Sequence, residues 1–170
     1  TCGTNVSHIK GMPAADFPDV PQRPDGETFT LPAAVLKEAV SQVAFAAAKE
    51  DNRPALTGVV WQSNGESLTL ACADGYRLAI RTIAGDTGMP NGEVIMPAKV
   101  MVDIARLIDP EEDEEVRVTF SDQRKLATFA IGGQIVVVAQ TLEGKFPDYS
   151  AIVRSLNSNV DAVVYTDDLL

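Results

Sequence analysis

The chain of 170 residues is 45% hydrophobic and 22% charged, which is enough apolar material for one ordinary domain with flanking sequence. Its net charge of −10 excludes simple electrostatic adhesion to nucleic acid, unless the basic residues are segregated onto one face. One histidine and two cysteines without a CxxC pair argue against a zinc site and predict no cofactor. No apolar run is long enough to span a bilayer. With only two cysteines, this predicts a reducing, cytoplasmic setting.

The first third of the chain predicts two short strands and one amphipathic helix. Residues 4–10 are strand-like, residues 28–30 form a strand, and Pro32 suits the first turn of a helix. The apolar residues that follow recur at i, i+3, i+4 and i+7 over three turns: Leu36, Ala39, Val40, Val43, Ala44 and Ala47. Phe45 falls on the polar side of this helix, and the sequence gives no reason for it.

The remainder predicts seven strands around a second helix. Alternation and β-branched content indicate strands at residues 57–61, 67–72, 76–83, 93–95, 116–121, 125–131 and 134–141. A helix is predicted at residues 97–108, with Lys99, Asp103 and Arg106 on its polar face. The acidic run at residues 111–115 predicts a solvated loop, and Gly132-Gly133 a tight hairpin. This order of elements predicts an α+β fold with mostly antiparallel sheets.

Two internal similarities predict a repeated architecture. The segment LPAAVL at residues 31–36 recurs as MPAKVM at residues 96–101, and FPD at residues 17–19 recurs at residues 146–148. The second offset is close to twice the first, which suggests a unit of roughly 130 residues built from two halves of about 65 residues each. We expect this unit to repeat beyond both ends, because the chain starts without methionine and residues 166–170 read as the opening of a helix.

Three motifs in order resemble the middle domain of the bacterial DNA sliding clamp, the β subunit of DNA polymerase III. They are QVAFAAA with RPALTGV at residues 42–48 and 53–59, ADGYRLA at residues 73–79, and LEGKFPDY at residues 142–149. The resemblance implies the DNA-clamp fold, in which two amphipathic helices pack on antiparallel sheets with an internal pseudo-twofold repeat. It also implies three regions: the end of a first clamp domain and linker at residues 1–22, a central domain at 23–157, and the start of a third domain at 158–170.

The resemblance further implies a processivity factor of DNA replication without catalytic activity. Relatives close head-to-tail dimers of three-domain chains into a ring around duplex DNA, with the helices facing the hole. The basic residues expected to face DNA, through weak direct contacts, are Lys37, Lys49, Arg53, Lys99 and Arg106. Because ring contacts join the first domain to the third, we expect this chain by itself to be a monomer.

A peptide-binding pocket is implied as well, for short motifs of the polymerase III catalytic subunit, the clamp loader and repair polymerases. Carried over residue by residue, it comprises Leu56, Ala73, Gly75, Tyr76, Arg77, Leu78, Pro147 and Ile152. Apolar walls would accept a Leu or Phe anchor, and polar groups would orient the peptide backbone. Tyr76 replaces a histidine of many relatives and Ala151 an arginine of some. Since the third domain supplies the other wall, we expect weak peptide binding by this chain.

Other interpretations of the same residues remain open at this point. Asp74-Gly75 by itself indicates an ordinary hairpin turn, and the basic residues by themselves indicate solvated helix faces. An enzyme is disfavoured because the chain has no GxSxG elbow, P-loop or HExxH motif, and His8 has no cysteine or serine partner at a recognisable spacing. An acidic scaffold without a DNA role is the other alternative.

Overall fold

The computed structural model describes residues 3–17 except 5, 7 and 9, residues 25–109 except 51, residues 114–155, residues 163–165 and residue 167. The chain runs through a strand, a helix and three strands, and then repeats that series. The first series is β1 (Thr28–Pro32), α1 (Ala33–Val43), β2 (Gly58–Ser63), β3 (Ser67–Ala73) and β4 (Leu78–Ala84). The second is β5 (Gly92–Pro97), α2 (Ala98–Leu107), β6 (Glu115–Phe120), β7 (Leu126–Ile131) and β8 (Ile135–Gln140). A last helix, α3, spans Tyr149–Ser155.

The two halves exchange their first strands. One sheet has the order β1-β6-β7-β8 and the other β4-β3-β2-β5, with every pair antiparallel. Leu31 in β1 pairs with Val116, and Met96, at the equivalent position of the second half, pairs with Val59. Each sheet therefore combines one strand of one half with three of the other. This confirms the predicted α+β fold and its pseudo-twofold repeat.

A proline separates strand from helix in both halves. Pro32 has φ −56° and ψ 129°, and Pro97 has φ −54° and ψ 125°. The pyrrolidine ring fixes φ near a value that suits both states, while the extended ψ keeps each proline in its strand. Pro32 therefore ends β1 and precedes α1, whereas the sequence predicted it inside the helix. The predicted start of the second helix at Pro97 is one residue early for the same reason.

The predicted apolar stripe of α1 is buried, but the helix is shorter than predicted. Leu36, Ala39, Val40 and Val43 are buried, and α1 ends at Val43, where φ is −121°. A 3₁₀ turn over Ala44–Ala46 continues the chain. The stripe therefore changes geometry after three turns, which periodicity alone does not show.

Aromatic side chains join the two sheets in the core. Trp61 on β2 is fully buried and makes edge-to-face contacts with Phe29 and Phe129, at centroid distances of 6.5 and 6.1 Å. Phe29 and Phe129 belong to the other sheet, so Trp61 spans the space between the two layers. Both helices pack against the same core.

Residues 142–149, which we call the closing segment, cover the outer face of the β4-β3-β2-β5 sheet. Phe146 is buried against Val60, Ala71 and Ile95. The hydroxyl of Tyr149 donates a hydrogen bond to Oε1 of Gln62 at 2.5 Å, and burial raises the pKa of Tyr149. These contacts place Pro147 and α3 beside this sheet.

The structure differs from the sequence predictions at both ends of the described chain. Of residues 4–10 it describes 4, 6, 8 and 10, and none of these lies in a strand, so the predicted strand is not found there. Helix α3 was not predicted, although Asp148 is an N-cap signal and accepts a hydrogen bond from the Ser150 amide at 3.0 Å. Most of the acidic run and the predicted domain limits near 22 and 157 lie outside the described residues. No helix in the described part of the chain is long and apolar enough to cross a membrane.

Candidate functional site

Helices α1 and α2 lie side by side and bring the predicted basic residues together. Lys37 and Arg106 line one groove between the helices, and Lys49, Lys99 and Arg106 line the next. Lys49 also lines a third concavity, together with Arg53. Since neighbouring grooves share Arg106 or Lys49, the five cations form one continuous surface, which we call the basic tract.

Two cations of the basic tract already have partners within the protein. The Lys37 ammonium donates a hydrogen bond to the Ile108 carbonyl at 2.7 Å, where it satisfies a carbonyl at the C-terminal end of α2. Arg106 forms an ion pair with Asp103 at 3.2 Å. Lys49, Arg53 and Lys99 are exposed, and no ion pair joins them to another described residue. These three residues are therefore the cations of the tract that have no hydrogen-bond or ion-pair partner among the described side chains.

The turn between β3 and β4 is organised by one carboxylate. Asp74 Oδ1 accepts hydrogen bonds from the backbone amides of Tyr76 and Arg77, both at 2.9 Å. Its Oδ2 accepts from Nε and Nη2 of Arg77 at 2.9 and 2.8 Å. The two backbone donors and then the guanidinium lower the pKa of Asp74 to about 2. Gly75 has φ +92°, a backbone conformation that glycine adopts without steric cost.

Four of the eight predicted pocket residues line one concavity beside this turn. It has a volume of about 730 Å³ and includes Leu56, Gly75, Tyr76 and Arg77. We call it the turn concavity. Tyr76 is 99% exposed, so its ring is available for contact with a partner. Leu56 is largely buried and contributes an apolar side chain to the lining.

The other four predicted pocket residues lie outside the lining of the turn concavity. Ala73 packs against the buried cluster that contains Leu56, and Leu78 is its partner in the β3–β4 ladder. Pro147 is exposed in the closing segment, and Ile152 on α3 is 56% exposed. The eight predicted pocket residues therefore do not line a single cavity in this chain.

The turn concavity also contains polar residues that were not among the predicted pocket residues. Its lining includes Glu50, Asn52 and Asp74. Nearby, the guanidinium carbon of Arg77 lies 5.8 Å from the centroid of the Phe45 ring. The signal for this contact was present in the sequence, because Phe45 was an aromatic residue on a predicted polar face.

The described residues offer neither a metal-binding cluster nor a reactive thiol. Among them no group of three or more His, Cys, Asp or Glu side chains could hold a metal ion. Cys72 is buried, and desolvation raises the pKa of its thiol to about 12. A thiol held in its protonated form is a poor nucleophile.

Paired strand–helix halves with exchanged first strands, and adjacent helices that carry a basic tract, define a clamp-type domain. A family model described as "DNA polymerase III beta subunit, central domain" matches residues 30–148, and the chain belongs to this family. The beta sliding clamp of Escherichia coli strain K12 is 30% identical over 151 residues, covering 89% of this chain and 40% of that protein. The beta sliding clamp of Chlamydia muridarum is 31% identical over 171 residues, covering 100% and 45%.

The fold is similar to solved sliding clamps. The Pseudomonas aeruginosa DnaN sliding clamp, solved bound to griselimycin, gives a TM-score of 0.73 at 30% identity, covering 88% of this chain and 39% of that one. The present chain spans about 40% of the length of the curated E. coli relative. The comparison therefore concerns a central portion of those proteins.

Proposed function

We propose that this chain forms the central part of a bacterial sliding clamp, a non-catalytic processivity factor that encircles duplex DNA in the cytoplasm. The observation that carries the proposal is the basic tract, which gathers five cations onto the adjacent helices and the loop after α1 in a protein of net charge −10. The rest of the surface is then strongly acidic, which disfavours binding of nucleic acid elsewhere.

The modest charge of the basic tract suits a ring that slides. A closed ring retains DNA by topology, so it has no need of tight phosphate contacts, and such contacts would slow its movement. Asp103 offsets the charge of Arg106, and the hydrogen bond to the Ile108 carbonyl holds the Lys37 ammonium against the protein. Lys49, Arg53 and Lys99 then supply weak, sequence-independent attraction.

The turn concavity and the adjacent closing segment are proposed to bind short peptides. Candidate partners are the catalytic subunit of DNA polymerase III, the clamp loader and repair polymerases. Leu56 offers an apolar floor, while Tyr76 and Arg77 offer an exposed ring and a guanidinium fixed by Asp74. The proposed pocket extends along Ala73 and Leu78 toward Pro147 and Ile152. A neighbouring domain would complete it, so we expect weak peptide affinity for this chain and a monomer in solution.

The ring is tested with a chain that has the full length of the relatives and contains these residues. After loading onto nicked circular DNA, the protein should remain bound through gel filtration, and it should be released when the DNA is linearised. An acidic scaffold without a DNA role would show no difference between circular and linear DNA, and this result would refute the clamp function.

Peptide binding is tested separately by calorimetry with a synthetic peptide that carries adjacent Leu and Phe anchors. This chain should bind it more weakly than the full-length protein does. Equal affinities would show that no second domain contributes to the pocket. A stable dimer of this chain by light scattering would contradict the assigned domain limits of 1–22, 23–157 and 158–170.

A further inference from the structure

Phe45 is an exposed aromatic side chain with a specific partner. It lies on the 3₁₀ turn after α1, and 61% of its surface is exposed. One side of the residue lines the groove of Lys49, Lys99 and Arg106, and the ring contacts the guanidinium of Arg77 at 5.8 Å. This distance is within the range of a cation–π interaction.

Arg77 is thereby held from two elements that are distant in sequence. Asp74 fixes the edge of the guanidinium through two hydrogen bonds, and Phe45 contacts the same group from the turn that follows α1. The Arg77 side chain is 51% exposed, so without these contacts its long stem would be free to sample several rotamers. A side chain that is ordered before binding loses less conformational entropy when a ligand arrives.

We propose that Phe45 is a positioning residue for Arg77 in peptide recognition, a role that rests on the proposed peptide-binding function. Arg77 lines the turn concavity, whereas Phe45 does not. Phe45 therefore acts through Arg77 and not by contact with the peptide in that concavity. Phe45 keeps the Arg77 guanidinium in one orientation, in which Asp74 binds one edge of the group. The rest of the guanidinium is then available to a peptide in the turn concavity.

The proposal separates a positioning role from a role in stability. Phe45 lies outside both buried clusters of the protein, so its replacement should leave the core intact. Leu107 on α2 is a matched control, because it is also an apolar residue with 46% of its surface exposed and it lines neither the turn concavity nor the helix grooves.

The experiment is a double-mutant cycle on the present chain, with affinity for the synthetic Leu–Phe peptide measured by NMR titration. Phe45→Leu should weaken binding about two- to fivefold, the range of an exposed cation–π contact. Phe45→Tyr should bind the peptide as tightly as the unsubstituted chain does, because it retains the aromatic ring. Leu107→Ala should also leave the affinity unchanged. In an Arg77→Met background, Phe45→Leu should have no further effect, since the residue through which it acts is gone.

The outcomes distinguish this role from the peptide-binding function itself. If the unsubstituted chain binds the peptide and Phe45→Leu binds equally well, the positioning role is wrong and the binding function stands. Equal losses with and without Arg77 would also overturn the role, because Phe45 would then act independently. If the unsubstituted chain does not bind the peptide at all, the binding function fails and this role fails with it.

Discussion

Replacing two lysines of the basic tract with glutamine tests whether this surface faces DNA. Lys49 and Lys99 are exposed and line the same groove, between α2 and the 3₁₀ turn that follows α1. The double variant Lys49→Gln/Lys99→Gln lowers the net charge from −10 by two charges and leaves the core untouched. A control with the same change in charge is Lys125→Gln/Lys145→Gln, since neither of these exposed lysines lines the helix grooves.

The expected magnitude follows from counterion release. Each phosphate contact contributes about −0.9 to the slope of log K against log salt concentration. Lys49, Arg53 and Lys99 are the cations of the tract whose side chains form neither a hydrogen bond nor an ion pair with a described residue. Counting one phosphate contact for each, the slope should be roughly −2.7, and about −0.9 in the double variant. Over a tenfold rise in salt, binding should fall roughly 500-fold for the unsubstituted chain and about 8-fold for the variant.

Fluorescence anisotropy with a labelled duplex measures this slope over a series of low salt concentrations, where weak binding is detectable. The control variant should keep the slope of the unsubstituted chain, because its charges lie on other surfaces. Equal slopes for the helix variant and the control would refute the assignment of the basic tract to DNA. The attraction would then arise from overall charge and not from this surface.

Three further predictions concern the core, the buried thiol and the Asp74 turn. Phe129→Ala should lower the free energy of unfolding by about 3–5 kcal/mol, because the side chain is fully buried. A domain is expected to have roughly 5–15 kcal/mol in total. Denaturation followed by the fluorescence of the single tryptophan should show this loss, whereas Val136→Ala, at an exposed position, should be nearly neutral. With the other cysteine replaced by serine, Cys72 should react with a thiol reagent only as fast as the protein unfolds, since burial raises its pKa to about 12; rapid labelling of the native protein would contradict this. Hydrogen bonds lower the pKa of Asp74 to about 2. The carboxylate should therefore stabilise the turn fully above the usual carboxyl pKa, and this stabilisation should disappear as pH falls through about 2. An NMR titration in which the Tyr76 amide responds with a midpoint near 4 would contradict this prediction.

The order and type of most elements could be predicted because they depend on local periodicity. The buried stripe of Leu36, Ala39, Val40 and Val43 follows the helical repeat. Alternation located the strands to within a few positions, and the recurrence of LPAAVL as MPAKVM predicted two equivalent halves. One exception is the strand predicted at residues 4–10, of which the described residues show none. Another is α3, because a helix of seven residues offers too few turns for a periodic signal.

Which residues meet across the chain was decided by the tertiary structure. Lys37 and Ile108 are 71 residues apart in sequence, and only the packing of α1 against α2 brings them together. Phe45 and Arg77 likewise meet only in the folded chain, where the 3₁₀ turn after α1 lies beside the β3–β4 turn. Ile152 was predicted with the pocket residues but lies outside the lining of the turn concavity. The sequence by itself determined the faces of helices and strands, since these depend on near neighbours in the chain. Contacts between distant residues depend on how the two sheets exchange strands, and no local pattern encodes that geometry.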